Sequence, residues 1–431
     1  MLAALVFAVV FAFVISEKIN RAIVALLGAA VLVAGGVITQ EQAVEGVDFN
    51  TLGLLTGMMI VVAITRRTGV FQFLAVWSAK KVGARPWGIL VMLSVVTMVL
   101  SALLDNVTTV LLIAPVTLLI TEELDIPPYP FLFAEILFSN IGGTATMIGD
   151  PPNILIGSLV EDIGFNDFLV HLAPIVPVVA LATMLPIWLI WGRRMTATEE
   201  ARQRILAFSE TDAIRDVPLL KKALGVLVLV LVGFVVGHPM GIEPATVAMG
   251  GAALLLLLDN LGRTAEEASE KVHHAFGEVE WVTIMFFLGL FVVVAGVEHA
   301  GLLEHVANAV ADFSSDTGVV AMVVMWVSAL SSAVVDNIPF VATMIPVIEE
   351  LIPRLGAEGD AAHALWWSLA LGACFGGNGS LIGASANLIV AGYAEREGHP
   401  IGFLQFMKHA FPLMILSVVI ASAYVWLRYL A

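Results

Sequence analysis

Apolar runs of about 15 to 22 residues recur along the whole chain between short polar stretches, close to the ~20 residues that cross a bilayer as helix. No long alternating segment suggests a barrel. The runs cover 2–15, 22–38, 51–65, 88–121, 131–159 and 171–192, then 222–237, 245–258, 281–297, 318–349, 364–393 and 409–430. Four are interrupted: 88–121 at Asp105-Asn106, 318–349 at Asp336-Asn337, 131–159 by Gly and Pro, and 364–393 by Gly. The pattern predicts an all-α polytopic membrane protein.

The two sets of six runs resemble each other. SALLDNVTTVLLIAPV (Ser101 to Val116) lies over SAVVDNIPFVATMIPV (Ser332 to Val347) at an offset of 231, with seven of sixteen positions identical. GGTATMIGDPPN (Gly142 to Asn153) lies over GGNGSLIGASAN (Gly376 to Asn387) at an offset of 234. Upstream, Thr51, Gly57 and Gly69 match Thr283, Gly289 and Gly301; downstream, Phe168, His171 and Pro174 match Phe406, His409 and Pro412. Each half is expected to hold five crossings, one re-entrant hairpin and a broken helix, and the odd number of crossings makes the repeats inverted. The domain division that follows is a first repeat at 1–192, a cytoplasmic linker at 193–221 and a second, inverted repeat at 222–431.

Basic residues set the sidedness. With the N-terminus outside and each Asp-Asn interruption returning to its own side, 18 of the 20 Lys and Arg, among them Lys18 and Arg21, fall inside; only Arg354 and Arg428 fall outside, where the C-terminus also lies. An even number of crossings at 88–121 is required, which a re-entrant hairpin and a full double crossing satisfy equally. Residues 1–16 lack the basic start of a signal peptide and are followed at once by Glu17, Lys18 and Arg21, so a retained first helix is expected.

Composition narrows the function. Only 13% of residues are charged, which excludes a soluble enzyme, and the net charge of -16 argues against nucleic-acid binding. The single cysteine, Cys374, excludes an intrachain disulfide and a cysteine-based metal cluster. No cofactor is implied. No phosphate-binding loop is present in the sequence, and whether an ATPase partner exists is unreadable.

Interrupted helices at matching places in two inverted repeats point to a secondary transporter, with its site at the repeat interface. Unwound backbone in a bilayer is tolerated only where protein or a watery cavity surrounds it. The candidate substrate- and ion-binding residues are Asp105, Asn106, Thr108, Asp336 and Asn337 at the hairpin tips, and Thr144, Thr146, Asp150, Asn153, Asn378, Ser380 and Asn387 at the breaks. Asp105 and Asp336 read either as helix N-caps or as ion ligands. Asp150 faces Ala384 in the alignment and so could serve a coupling ion in one half only. Sodium is a candidate at Asp105, Asp150 and Asp336. Glu135 reads as a buried, hydrogen-bonded acid, His171 and His409 as helix-end residues, and Cys374 as a small hydrophobe.

On the stretches LLDNVTTVLLIAPVTLL, SNIGGTATMIGDPPNILI, VVDNIPFVATMIPVI and FGGNGSLIGASANLIV, the chain resembles the ion transporter superfamily, within it the arsenical-pump and P-protein branch of the citrate-transporter-like fold. The resemblance implies a homodimer with a scaffold part and a transport part that moves as an elevator. The dicarboxylate branch carries Ser-Asn-Thr at its hairpin tips, whereas here stand Asp-Asn-Val and Asp-Asn-Ile, so only Asn106 and Asn337 carry over.

The leading expectation is proton-coupled export of a small inorganic species such as arsenite or antimonite. Next come sodium/proton antiport and dicarboxylate or citrate symport. An intramembrane aspartyl protease is disfavoured, because Met147-Ile148-Gly149-Asp150 lacks the Gly-x-Gly-Asp pattern.

Overall fold

The computed structural model describes residues 1–16 and 18–431; Glu17 lies outside them. The chain folds into helices joined by short turns, and no strand occurs among the described residues. The first half contains α1 (Leu2–Ser16), α2 (Arg21–Ala34), α3 (Gln40–Glu45), α4 (Phe49–Arg66), α5 (Val70–Lys81), α6 (Pro86–Leu103), α7 (Asn106–Glu123), α8 (Tyr129–Gly143), α9 (Pro151–Leu159), α10 (Phe165–His171) and α11 (Val176–Ile190). α12 (Glu199–Ala207) lies between the halves. The second half contains α13 (Val217–Gly237), α14 (Pro244–Asn260), α15 (Ala265–Gly277), α16 (Trp281–His299), α17 (Leu302–Phe313), α18 (Thr317–Ser332), α19 (Asn337–Leu355), α20 (Asp360–Gly376), α21 (Ser385–Arg396) and α22 (Phe403–Val425).

Two groups of helices pack around their own small residues. In one, α2 crosses α16 and α14 crosses α4, with α1 and α13 on the outside. The crossings are close because Gly57 and Gly289 lack a side chain: a Cβ on Gly57 would stand 2.6 Å from the Ala248 carbonyl carbon, and one on Gly289 2.6 Å from that of Ala25. Small residues at a helix crossing are how membrane helices gain packing when lipid removes the hydrophobic drive between them. In the other group α6 packs on α8 and α18 on α20, while α7 meets α21 and α9 meets α19. Every pairing thus has its reciprocal in the other half.

α5 and α17 link the groups, each turning off the end of α4 or α16 and reaching α7 or α19. The apolar-run pattern does not predict them. Their matched glycines start them: Gly69 and Gly301 hold φ of 84° and 70°, a left-handed conformation that a side chain disfavours. α13 starts at Val217, where Asp216 caps it with Leu219 N–H donating to its carboxylate, so the helix takes in Lys221 and Lys222.

The outward faces are apolar, as at Leu181, Leu185, Val228 and Val232. Charged groups gather at the ends. At one end Arg66 pairs with Glu278, Arg67 and Lys271 with the buried Asp259, Lys80 with Glu210, and Arg204 with Asp125. All these lie on segments that the basic-residue count assigns to one side. Segments assigned to the other side also meet, as where the Tyr424 hydroxyl donates to the His171 carbonyl.

Candidate functional site

Helices α6 and α18 end at residues whose last carbonyls need donors. The two halves solve this in the same way. The Thr146 hydroxyl donates to the Ala102 carbonyl at 2.6 Å, and the Ser380 hydroxyl to the Ala333 carbonyl at 2.6 Å. Ser101 and Ser332 in turn tie these helices to the Ser139 and Ala373 carbonyls of α8 and α20. Thr146 and Ser380 therefore shape the breaks. Glycines let the unwound strands touch: a Cβ on Gly149 or Gly383 would stand 2.7 Å from the Ser101 or Ser332 carbonyl oxygen.

Asn153 and Asn387 close the two breaks. Asn387 Nδ2 donates to the Gly377 and Ser380 carbonyls at 2.8 Å each, and Asn153 Nδ2 to the Thr144 and Thr146 carbonyls at 3.2 and 2.9 Å. With its nitrogen committed, each presents its oxygen to the other half. Asn140 Nδ2 donates to Asn387 Oδ1 at 3.0 Å and Cys374 Sγ to Asn153 Oδ1 at 3.4 Å. Asn140 and Cys374 occupy equivalent repeat positions, so the single cysteine is the counterpart of an asparagine. Asn140 also donates to Asn378 Oδ1 at 2.9 Å. Its own oxygen accepts from Asn106 Nδ2 at 3.0 Å, which fixes the amide of Asn106 so that its buried Oδ1 is left without a donor. Thr144 donates only to the Asn140 carbonyl.

The tips differ. Both oxygens of Asp105 serve Thr108: one accepts from its backbone N–H at 2.7 Å, the other from its hydroxyl at 2.5 Å. Pro339 stands where Thr108 stands in the first half and has neither donor. Asp336 Oδ1 accepts only from Ile338 N–H at 3.2 Å, and its Oδ2 turns to Arg21 Nη1 at 2.6 Å and the Ser385 hydroxyl at 2.6 Å. Asn337 reaches across the repeat, Nδ2 donating to Asp150 Oδ1 at 3.2 Å. Among the described residues no donor meets the buried Asp150 Oδ2.

These groups ring a cavity of about 20 Å³, room for about one water-sized particle. Its lining includes the first residue of five helices: Arg21 of α2, Asn106 of α7, Pro151 of α9, Asn337 of α19 and Ser385 of α21. Asp105 and Thr283, with the apolar Leu55, Met59, Val107 and Ile338, complete the wall. Helix starts favour negative charge, and three carboxylates, Asp105, Asp150 and Asp336, stand near them.

Of the expected residues, the structure brings Asp105, Asn106 and Asn337 to the cavity wall, places Thr108, Asp150 and Asp336 directly behind it, and gives Thr144, Thr146, Asn153, Asn378, Ser380 and Asn387 to the surrounding breaks. Glu135 accepts from the Thr117 hydroxyl inside the α7–α8 contact, as a buried, hydrogen-bonded acid. His171 stacks on Trp367 with ring centroids 5.3 Å apart, and His409 Nδ1 bonds the Gln405 carbonyl. Sequence reasoning missed Arg21, Asn140, Thr283 and Ser385. The polar Asn140 in an apolar run was a usable signal; Arg21 was counted among the solvated basic residues.

Helices of this packing, broken around a polar cavity, define a polytopic α-helical membrane transporter rather than an enzyme. The citrate transporter (CitMHS) family pattern matches residues 11–372, and the chain belongs to that family. It is 41% identical over 429 residues to an uncharacterised transporter of Mycobacterium tuberculosis, spanning 98% of this chain and 97% of that one. It is 35% identical to the P protein of Sus scrofa over 98% of this chain but 59% of the P protein. Among solved structures, the YdaH transporter of Alcanivorax borkumensis shares the fold with a TM-score of 0.57 at 13% identity, covering 89% of this chain and 87% of that one.

Proposed function

We propose that this chain is a secondary transporter that exchanges a small monovalent cation, sodium being the first candidate, for protons. The observation that carries this reading is the gathering of three carboxylates around a water-sized cavity: Asp105, Asp150 and Asp336 stand together there, and Asp336 already holds a cationic group, Arg21, that a small monovalent cation or a proton could replace. The unpaired Asp150 Oδ2 supports it, because a buried carboxylate oxygen without a donor costs several kcal/mol until a proton or cation meets it. The water-sized cavity suits such an occupant better than a tricarboxylate, which the carboxylates also repel. The order of the two leading expectations is thereby reversed. Proton-coupled export of arsenite or antimonite is the second reading, favoured by the amides of Asn106 and Asn337 in the cavity wall, which offer a neutral oxyacid hydrogen bonds.

Under this proposal the halves are inverted repeats. The crossing pairs α2–α16 and α4–α14 form the scaffold and the hairpins and broken helices form the transport part, moving as an elevator within a homodimer. The test is purified protein in liposomes carrying an internal pH dye. Sodium added outside should collapse an imposed pH gradient, and Asp150→Asn should remove that response. Protonophore-sensitive arsenite accumulation with no response to sodium would move the assignment to the second reading.

A further inference from the structure

Arg21 starts α2, a scaffold helix, yet its guanidinium bonds two helices of the other group: Asp336 Oδ2 on the α19 tip at 2.6 Å and the Ser385 hydroxyl on α21 at 2.7 Å. On its own side it is held independently, donating to the Thr283 hydroxyl of α16 at 3.3 Å and lying over the Phe286 ring at 5.0 Å. The guanidinium is thus positioned whether or not Asp336 is present. Among the described residues, Asp150 on the first break faces Asp336, and Asp105 on the facing tip lies near Glu280, which precedes α16.

We propose that Arg21 is a specificity- and coupling-determining residue: an internal cation that occupies Asp336 when no cargo is bound, and that a transported monovalent cation or proton must displace. The inference rests on the exchange function proposed above. Displacement moves Arg21 off Asp336 Oδ2 while Thr283 and Phe286 retain it, and the incoming cation takes the same carboxylate oxygen. While Arg21 is engaged the transport part is tied to the scaffold. An unloaded carrier therefore stays where it is, and only loaded carriers cross, which makes exchange obligatory.

The experiment compares the wild-type protein with Arg21→Gln and Arg21→Lys, each as full-length protein in liposomes. Two readouts are taken: sodium concentration dependence of proton release, and net sodium efflux into sodium-free buffer of equal pH. Wild type should exchange and show almost no net efflux. Arg21→Gln should lower the half-saturating sodium concentration by about 5-fold or more, the size of a ~1 kcal/mol lost competition, and permit net efflux. Arg21→Lys, which keeps the charge but not the fork, should hold efflux near the wild-type level. If the Gln variant does not fold, the Lys variant with Ser385→Ala still reports, because losing Ser385 loosens the same contact and should lower half-saturation. Wild-type exchange with unchanged half-saturation and no efflux in the variants would overturn the role of Arg21 alone. Absence of exchange in the wild type would overturn the exchange function and this role with it.

Discussion

The two hairpin tips begin with the same Asp-Asn pair and end with different chemistry. At the first, Thr108 uses both oxygens of Asp105, and the carboxylate acts as a helix cap. At the second, Pro339 withholds both donors, and Asp336 turns one oxygen to Arg21 and Ser385. A second difference follows along the chain. Cys374 replaces Asn140 at the break of the second half, and a thiol is a poor acceptor, so Asn337 has no counterpart of the bond that Asn106 makes to Asn140 Oδ1. It bonds Asp150 of the first half instead, where the second half has Ala384. Three substitutions between repeats thus convert one symmetric site into one cap and one carboxylate paired with Arg21.

The largest expected effect tests whether that division of labour is real. Asp336→Asn should lower cation-coupled flux at least about 100-fold, equivalent to ~2.7 kcal/mol, because it removes the charge that Arg21 and the cargo share. Asp105→Asn should cost less than about 10-fold, since asparagine is as good an N-cap as aspartate. Equal losses in the same liposome flux assay would mean that the caps are interchangeable and that the tip difference has no functional meaning.

Exchanging the neighbours should sharpen the same contrast. Pro339→Thr supplies an N–H and a hydroxyl to Asp336, and a new cap of ~1 kcal/mol would compete with Arg21 for Oδ2. The half-saturating concentration of the coupling cation should change by about 5-fold, whereas Thr108→Ser, which keeps both donors, should leave it unaltered. Flux titrations on both variants measure this directly.

Much of this was legible in the sequence because it rests on identities between repeats. Gly57 and Gly289, Gly143 and Gly377, and Asn153 and Asn387 align because backbone contacts in both halves demand the same residue. What escaped depends on replacement or on distance. Asn140 aligns with a cysteine, so its place in the amide chain is invisible until Cys374 is seen donating to the matching asparagine. Arg21 lies 315 positions from Asp336, and a basic residue at the end of an apolar run reads as an interfacial anchor. α5 and α17 have 12 residues each, a third of them polar, and are too short to register as spans, although the glycines that start them were already paired.

Stability offers an intermediate test at the breaks. Asn140→Ala leaves Asn106 Nδ2, Asn378 Oδ1 and Asn387 Oδ1 without that partner in a buried cluster, and should destabilise by about 3 kcal/mol. Cys374→Ala removes one weak S–H donor and a small volume, and should cost only about 1 kcal/mol. Thermal unfolding in detergent, followed through tryptophan fluorescence, should rank them in that order. A reversal would place the structural keystone in the second half.

The smallest effects should come from the one arrangement that the halves share without alteration. Ser101 donates to the Ser139 carbonyl at 2.6 Å and Ser332 to the Ala373 carbonyl at 2.7 Å, each tying a hairpin's first helix to its broken helix. Each bond is worth about 1 kcal/mol net, and the two share no partner, so Ser101→Ala and Ser332→Ala should cost the same within about 0.5 kcal/mol and add in the double variant. Unfolding midpoints of the three proteins decide it. Equal costs confine the asymmetry to the tips and to the pair Asp150 and Cys374, so that one scaffolded frame carries two different ends. If Ser332→Ala costs clearly more, the difference between halves reaches into the packing of α18 on α20, and the second tip's freedom to engage Arg21 is then a property of the whole hairpin rather than of Pro339.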